Sequence, residues 1–135
     1  MNAGQGATKH RNGYTMLSFP SNLSNTPIEV FEQMAPVRIV ERAIRRGSGG
    51  SGKHRGGDGL RFEVEAVGDT PMMASMIMTR FRTAPQGIFG GEPGKVGALL
   101  LNGKAIDPAD HWLLKKGDRV VMETAGGGGY GRDEG

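Results

Sequence analysis

Leu-Arg-Phe-Glu-Val-Glu-Ala-Val, residues 60–67, alternates without a slip. Leu60, Phe62, Val64 and Ala66 fall on one face, and Arg61, Glu63 and Glu65 on the other. A period of two with one apolar face is the signature of a half-buried antiparallel strand. Reading outward, "PVRIVERAIR" (36–45) is a less regular strand, and "MMASMIMTRF" (72–81) a more deeply buried one. "VGALLL" (96–101), a short "KAI" (104–106) and "RVVME" (119–123) complete the set. "LNGK" reads as a tight hairpin turn in which Asn102 and Gly103 supply positive φ, and "KKGD" (115–118) as a second turn. "YTMLSFP" (14–20) could form a short edge strand ended by Pro20. This is a mainly β (α+β) chain, barrel- or sandwich-like, with one short helix and long Gly-rich loops.

The helix is "NTPIEVFEQM", residues 25–34. Thr26 suits an N-cap, Pro27 the first helical position, and Glu29 the acidic place of a capping box. Ile28, Phe31 and Met34 make a narrow apolar stripe, and Pro36 stops the helix after about two turns. A helix that short needs something to pack on. The expected organisation is one domain over 1–135: a loop-rich lead-in (1–24), the helix (25–35), a β-rich body (36–131) and a tail (132–135).

Composition bounds the function. A chain of 135 residues can bury about two-thirds of its unfolded surface. Its 24 glycines are well over twice the usual share of about 7%, which calls for ordered glycine loops as well as flexible ones. Eight Met point to an adaptable core. There is no Cys, so disulfides and thiolate metal sites are excluded, in keeping with a cytoplasmic setting. No charged-then-apolar leader opens the chain, and no apolar run approaches a membrane span. The net charge of +3 is mild. Arg38, Arg42, Arg45, Arg46, Lys53 and Arg55 cluster beside only Glu32 and Glu41, without the interleaved aromatics of a base-stacking surface. A solvated basic face, or a patch for an acidic partner, fits that cluster better than nucleic acid.

Site motifs are sparse. His10, His54 and His111 lie far apart, without metal-ligand spacing. GxSxG, Walker A and GxGxxG patterns are absent, and the Gly/Ser run before Lys53 lacks P-loop spacing and a following helix. Asn25 and Glu29 are candidates for a site, although helix capping fully explains Thr26 and Glu29 and is the favoured reading of that pair. Arg55 stands between glycines, where its fork could hold a carboxylate or phosphate or could pin its own loop. In "ETAGGGGYG" (123–131), Gly126, Gly127, Gly128 and Gly129 precede Tyr130. Such glycines either line an oxygen with N–H groups or let two chain segments pack closely.

"AGQGATKHRNGY" (3–14), "NTPIEV" (25–30), "SGGSGKHRGGDG" (48–59), "APQGIFGGEPG" (84–94) and "LKKGDRVVMETAGGGGYG" (114–131) resemble, in that order, the C-terminal portion of the hydantoinase B/oxoprolinase family. The resemblance covers essentially the whole chain. It implies part of an ATP-dependent enzyme that opens cyclic amides such as N-methylhydantoin or 5-oxoproline. The alternatives are a segment of a related acetone or acetophenone carboxylase subunit, or a non-catalytic assembly module. It further implies a hydantoinase A-like partner subunit that holds ATP and Mg and phosphorylates the substrate, and no cofactor on this chain. It also implies that the glycine run shapes the substrate site by close packing, with Tyr130 beside it. Ala125 stands where the family has proline, and residues 45–50 lack the family's Pro-Asp pair. Family subunits are several times longer. The chain is therefore expected to be a fragment, split-gene product or excised domain, inactive alone, with any metal in the upstream region, and with apolar surface exposed where that region would pack.

Overall fold

The computed structural model describes residues 2–17 and 27–134. It contains helix α1 (Ile28–Met34) and strands β1 (Val37–Arg45), β2 (Gly59–Ala66), β3 (Met72–Ser75), β4 (Ala98–Leu101), β5 (Lys104–Ala105), β6 (His111–Leu114) and β7 (Arg119–Glu123). A five-stranded sheet has the order β1-β2-β7-β4-β5, and β3 pairs with β6 in a second, two-stranded sheet. All pairings are antiparallel. Among the described residues the large sheet stays open, with β1 and β5 at its edges. The chain is thus mainly β with two antiparallel sheets, and the barrel alternative does not hold among the described residues.

The alternation in β2 is explained by what it faces. Val64 and Ala66 join Leu99, Leu114, Val120 and Met122 in the core, with Phe62 packed against them. From the small sheet, Met72, Ala74 and Trp112 close the other side. Leu60 and Leu99 are 1% exposed; burying each such side chain contributes about 1.5–3 kcal/mol. On the opposite face of β2, Arg61 binds Glu41 Oε2 at 3.0 Å and Glu123 Oε1 at 3.1 Å. That pairing, with Glu41 first, raises the Arg61 pKa above its ordinary value.

β1 is a nine-residue edge with a register shift between Ile39 and Glu41. The Ile39 N–H donates to Glu32 Oε1 of α1 at 2.8 Å. A bulge and a side chain covering an edge donor both discourage further strand pairing. The helix thus packs on β1, but Met34 is 79% exposed and leaves the expected stripe.

Three other expectations are corrected. The strand read over 72–81 ends at Ser75, although half-burial still alternates through Met78. Without a neighbouring strand, alternation alone does not make a sheet. β6 was not foreseen, since four residues carry too little pattern. The stretch 14–20 contributes a single bridge, Leu17 to Ala3, with residues 18–20 outside those described. Both turns form as read, with Asn102 at φ 49°, Gly103 at φ 81° and Gly117 at φ 92°. Asp118 ties the turns together by accepting from Lys115 N at 2.8 Å and Asn102 Nδ2 at 3.0 Å.

Candidate functional site

Residues 126–129 are buried, and none has positive φ. Left-handed backbone is therefore not why they are glycine; contact distance is. A Cβ built on Gly126 would lie 1.9 Å from Ser48 O, on Gly127 1.9 Å from Gln5 O, on Gly128 2.1 Å from Gln86 O, and on Gly129 2.1 Å from Ser51 O. Gly126 and Gly129 thus face one neighbouring segment at two points three residues apart on both chains. The two residues between them face two other segments. A repeat of three is the turn of an extended polyproline II-type helix.

Such a helix makes no internal hydrogen bonds, so its polar groups must be paired outside. Gly126 N donates to Lys95 O at 3.1 Å, Gly127 N to Gly57 O at 2.9 Å and Gly129 N to Glu92 O at 2.9 Å. In return Gly127 O accepts from Gly50 N at 2.8 Å, Gly128 O from Ala7 N at 2.8 Å and Gly129 O from Ile88 N at 3.0 Å. Stretches near residues 5, 50, 57, 87 and 93 therefore surround a central glycine filament, backbone against backbone. The N–H groups of Gly126, Gly127 and Gly129 are spent on carbonyls, which removes them as donors to an anion. The first residues of the chain belong to this bundle: Gly4 N donates to Ala125 O at 2.9 Å.

Thr124 joins filament to sheet. Its Oγ1 accepts from Leu60 N at 2.7 Å and donates to Asn2 O at 2.8 Å. Buried Ser48 Oγ accepts from Gly59 N at 2.8 Å. Asp58, 9% exposed, accepts from Gly49 N and from Arg55 Nη2, each at 2.9 Å. The Arg55 guanidinium thus contacts its own loop and is 48% exposed. Asp58 and Ser48 went unnoticed in the sequence; an acid flanked by glycines at 57 and 59 was the available signal.

At one end of the filament Tyr130 pairs with His54, N–H to O in both directions, at 2.8 and 3.0 Å. The Tyr130 ring lies 6.5 Å from His54 and 5.3 Å from Phe89. Phe89 has φ 53° and is 78% exposed. Tyr130 and the four glycines are thus brought together with the Arg55 loop. Glu29 is exposed on α1, which packs on β1 and lies outside this bundle. Asn25 and Thr26 lie outside the described residues.

The basic cluster is partly neutralised, Arg55 by Asp58 three residues away and Arg38 and Arg45 by acids distant in sequence. Arg38 pairs with Glu65, and Arg45 with Glu123 at 2.5 Å. Arg45 Nη1 also donates to Val96 O at 2.6 Å and Thr124 O at 3.1 Å. Among the described residues no three His, Asp or Glu side chains gather as a metal ion would require. No helix there is long and apolar enough to cross a membrane.

Residues 1–133 match the model of the hydantoinase B/oxoprolinase family. The 5-oxoprolinase of Dictyostelium discoideum is 33% identical over 137 residues, covering 97% of this chain and 11% of that protein. Caprolactamase subunit beta of Pseudomonas jessenii is 31% identical over 145 residues, covering 96% of this chain and 24% of that protein. The crystal structure of the ATP-dependent caprolactamase from Pseudomonas jessenii superposes with a TM-score of 0.74 at 29% identity, covering 97% of this chain and 24% of that chain. The chain spans between about a tenth and a quarter of the length of these relatives. With the motifs that build the filament all lying inside the matched span, the chain belongs to the hydantoinase B/oxoprolinase family.

Proposed function

We propose that this chain serves as the C-terminal part of an ATP-dependent cyclic-amide hydrolase of the hydantoinase/5-oxoprolinase type. The observation that carries this reading is the family match over residues 1–133, among relatives named 5-oxoprolinase and caprolactamase subunit beta. In this reading ATP and Mg bind a hydantoinase A-like partner subunit in the cytoplasm, and this chain carries no cofactor. A partner of this kind suits a relative that is itself a subunit.

In this reading Gly126 to Gly129 act through their backbone. They hold the Arg55–Asp58 loop and the Tyr130–His54–Phe89 corner in fixed relation, and that corner shapes one wall of the substrate site in the complete subunit. The chain alone should neither hydrolyse ATP nor open a ring. The test places this segment in a full-length family subunit, with and without a hydantoinase A-like partner. ATP-dependent opening of 5-oxoproline, hydantoin or caprolactam should need both. Bicarbonate-dependent carboxylation of acetone instead of ring opening would replace this reading with the ketone carboxylase one. Tyr130→Phe should lower turnover per folded enzyme while ATP binding by the partner stays normal; unchanged turnover would remove Tyr130 from the site.

A further inference from the structure

The chain contains two Asn-Gly pairs, Asn12-Gly13 and Asn102-Gly103. Such a pair carries its own nucleophile. The glycine amide nitrogen can attack the asparagine side-chain carbonyl carbon, and no Cβ on the glycine crowds the approach. The reaction is intramolecular and consumes only water, so it requires neither partner nor ligand. What decides it is whether the fold leaves the two groups free to meet.

The two pairs are held very differently. Gly13 N donates to Arg55 O at 2.8 Å, and Asn12 Oδ1 accepts from Arg55 N at 2.8 Å. Nucleophile and electrophile are thus both tied to the backbone of one residue. Gly13 is also packed so tightly that an added Cβ would stand 1.9 Å from Gln5 O. Gly103 is the reverse. It is exposed in the turn between β4 and β5, nothing lies within 4 Å of its Cβ position, and its N–H makes no hydrogen bond among the described residues. Only the electrophile is held there. Asn102 Oδ1 accepts from Arg119 N at 2.9 Å, and Asn102 Nδ2 donates to Asp118 Oδ1 at 3.0 Å. Asp118 is itself fixed by accepting from Lys115 N at 2.8 Å.

We propose that Asn102 is a deamidation site and that Asp118 gates it, by holding the side-chain amide away from the free Gly103 nitrogen. When those hydrogen bonds open, Gly103 N bonds to Asn102 Cγ. The Cγ–Nδ2 bond breaks, and the Gly103 amide proton leaves with Nδ2 as ammonia. Water then adds to either carbonyl carbon of the cyclic imide. Its oxygen completes a carboxyl group, the ring C–N bond at that carbon breaks, and a proton passes to the nitrogen. Opening at Cγ leaves an aspartate at 102. Opening at the backbone carbonyl leaves an isoaspartate, whose main chain is one methylene longer. The first product sets a carboxylate against Asp118 in place of a donor; the second adds a main-chain atom to a two-residue turn. Either one unties β4 from β7 at the end away from the glycine filament. The proposal does not rest on the catalytic reading above.

The test incubates the purified 135-residue chain at mildly alkaline pH and follows both pairs by peptide mass mapping. Conversion exchanges NH2 for OH, and isoaspartyl peptides separate from aspartyl ones on chromatography. In the folded chain conversion should be confined to Asn102, whereas in denaturant Asn12 and Asn102 should convert alike. Asp118→Ala should raise the Asn102 rate about tenfold, the scale of one lost hydrogen bond to a charged group. Thr124→Val weakens the chain at the other end of β7 and should leave the Asn102 rate at the wild-type value. Asn102→Asp, which mimics the first product, should lower the Tm. Adding Asp118→Asn puts the amide on the other side of the pair and should restore most of the loss. Equal conversion of both asparagines in the folded chain would overturn the proposal. So would an Asp118→Ala rate equal to wild type, or an equal rise in Thr124→Val.

Discussion

Gly127 meets Gln5 so closely that a single added methyl would stand 1.9 Å from the Gln5 carbonyl oxygen. The obstacle is backbone, not a side chain that can swing aside. The two residues lie far apart in sequence, so the close approach joins the hydrogen bonds of Gly4 to Ala125 and Ala7 to Gly128 in packing the first segment against the last.

Gly127→Ala should therefore cost more than about 3 kcal/mol and be seen as lost soluble yield or a much lower Tm. Gly103→Ala is the control: nothing lies within 4 Å of its Cβ position, but φ is 81°. Strain there should cost about 1 kcal/mol. Equal melting temperatures for the two variants would contradict the close-packing account of the filament.

Thr124→Val keeps the shape of the side chain and removes its hydroxyl. Leu60 N then loses its 2.7 Å acceptor, and Asn2 O its 2.8 Å donor. A buried donor left unpaired costs about 1–3 kcal/mol. Chemical denaturation should report that loss, and an unchanged midpoint would mean that other groups satisfy both.

Arg45 and Arg38 sit on the same strand and separate two kinds of ion pair. The Arg45–Glu123 pair is mostly buried (17% and 18% exposed), whereas Arg38 is 59% exposed. Arg45→Ala also strips donors from Val96 O and Thr124 O. It should cost about 3 kcal/mol, against roughly 0–1 kcal/mol for Arg38→Ala. Urea midpoints for the two variants make the comparison directly.

Asp118 makes stability depend on acid. Its carboxyl is held below its ordinary value first by the Lys115 N–H, then by Asn102 and by the Lys115 charge. A depressed carboxylate contributes stability that is fully present above the unfolded pKa of about 3.9 and fades as pH falls through the lower folded value. Wild type should thus exceed Asp118→Ala in stability at pH 6, with the gap narrowing below pH 4. A gap of constant size down to pH 2 would assign the effect to packing instead.

The strand at 60–67 was legible because β2 has one face on the core, so its own residues record which way they point. β6 was not: Trp112 and Leu114 face the core, but exposed Leu113 between them blurs a four-residue pattern. Residues 76–78 mislead in the opposite sense, keeping a strand's alternation with no strand beside them. At the candidate site the four glycines and Tyr130 announce themselves. Their neighbours do not, since Gln5, Ser48, Ser51 and Gln86 contribute backbone oxygens that any residue type could supply. Glu123, which neutralises Arg45, is likewise set by tertiary position, whereas Asp58 lies only three residues beyond Arg55.

The central filament comes later in the chain than every segment wrapped around it. During synthesis the shell is thus made first, with nothing at its centre to receive its hydrogen bonds. The groups of Ala7, Gly50, Gly57, Ile88, Glu92 and Lys95 that bond the filament lack those partners until residues 126–129 have been made. Closing loops of that length before any contact rewards them makes for slow folding. Refolding of the bundle should accordingly be a late and concerted event, lagging the pairing of β1 with β2, whose partners lie much nearer along the chain.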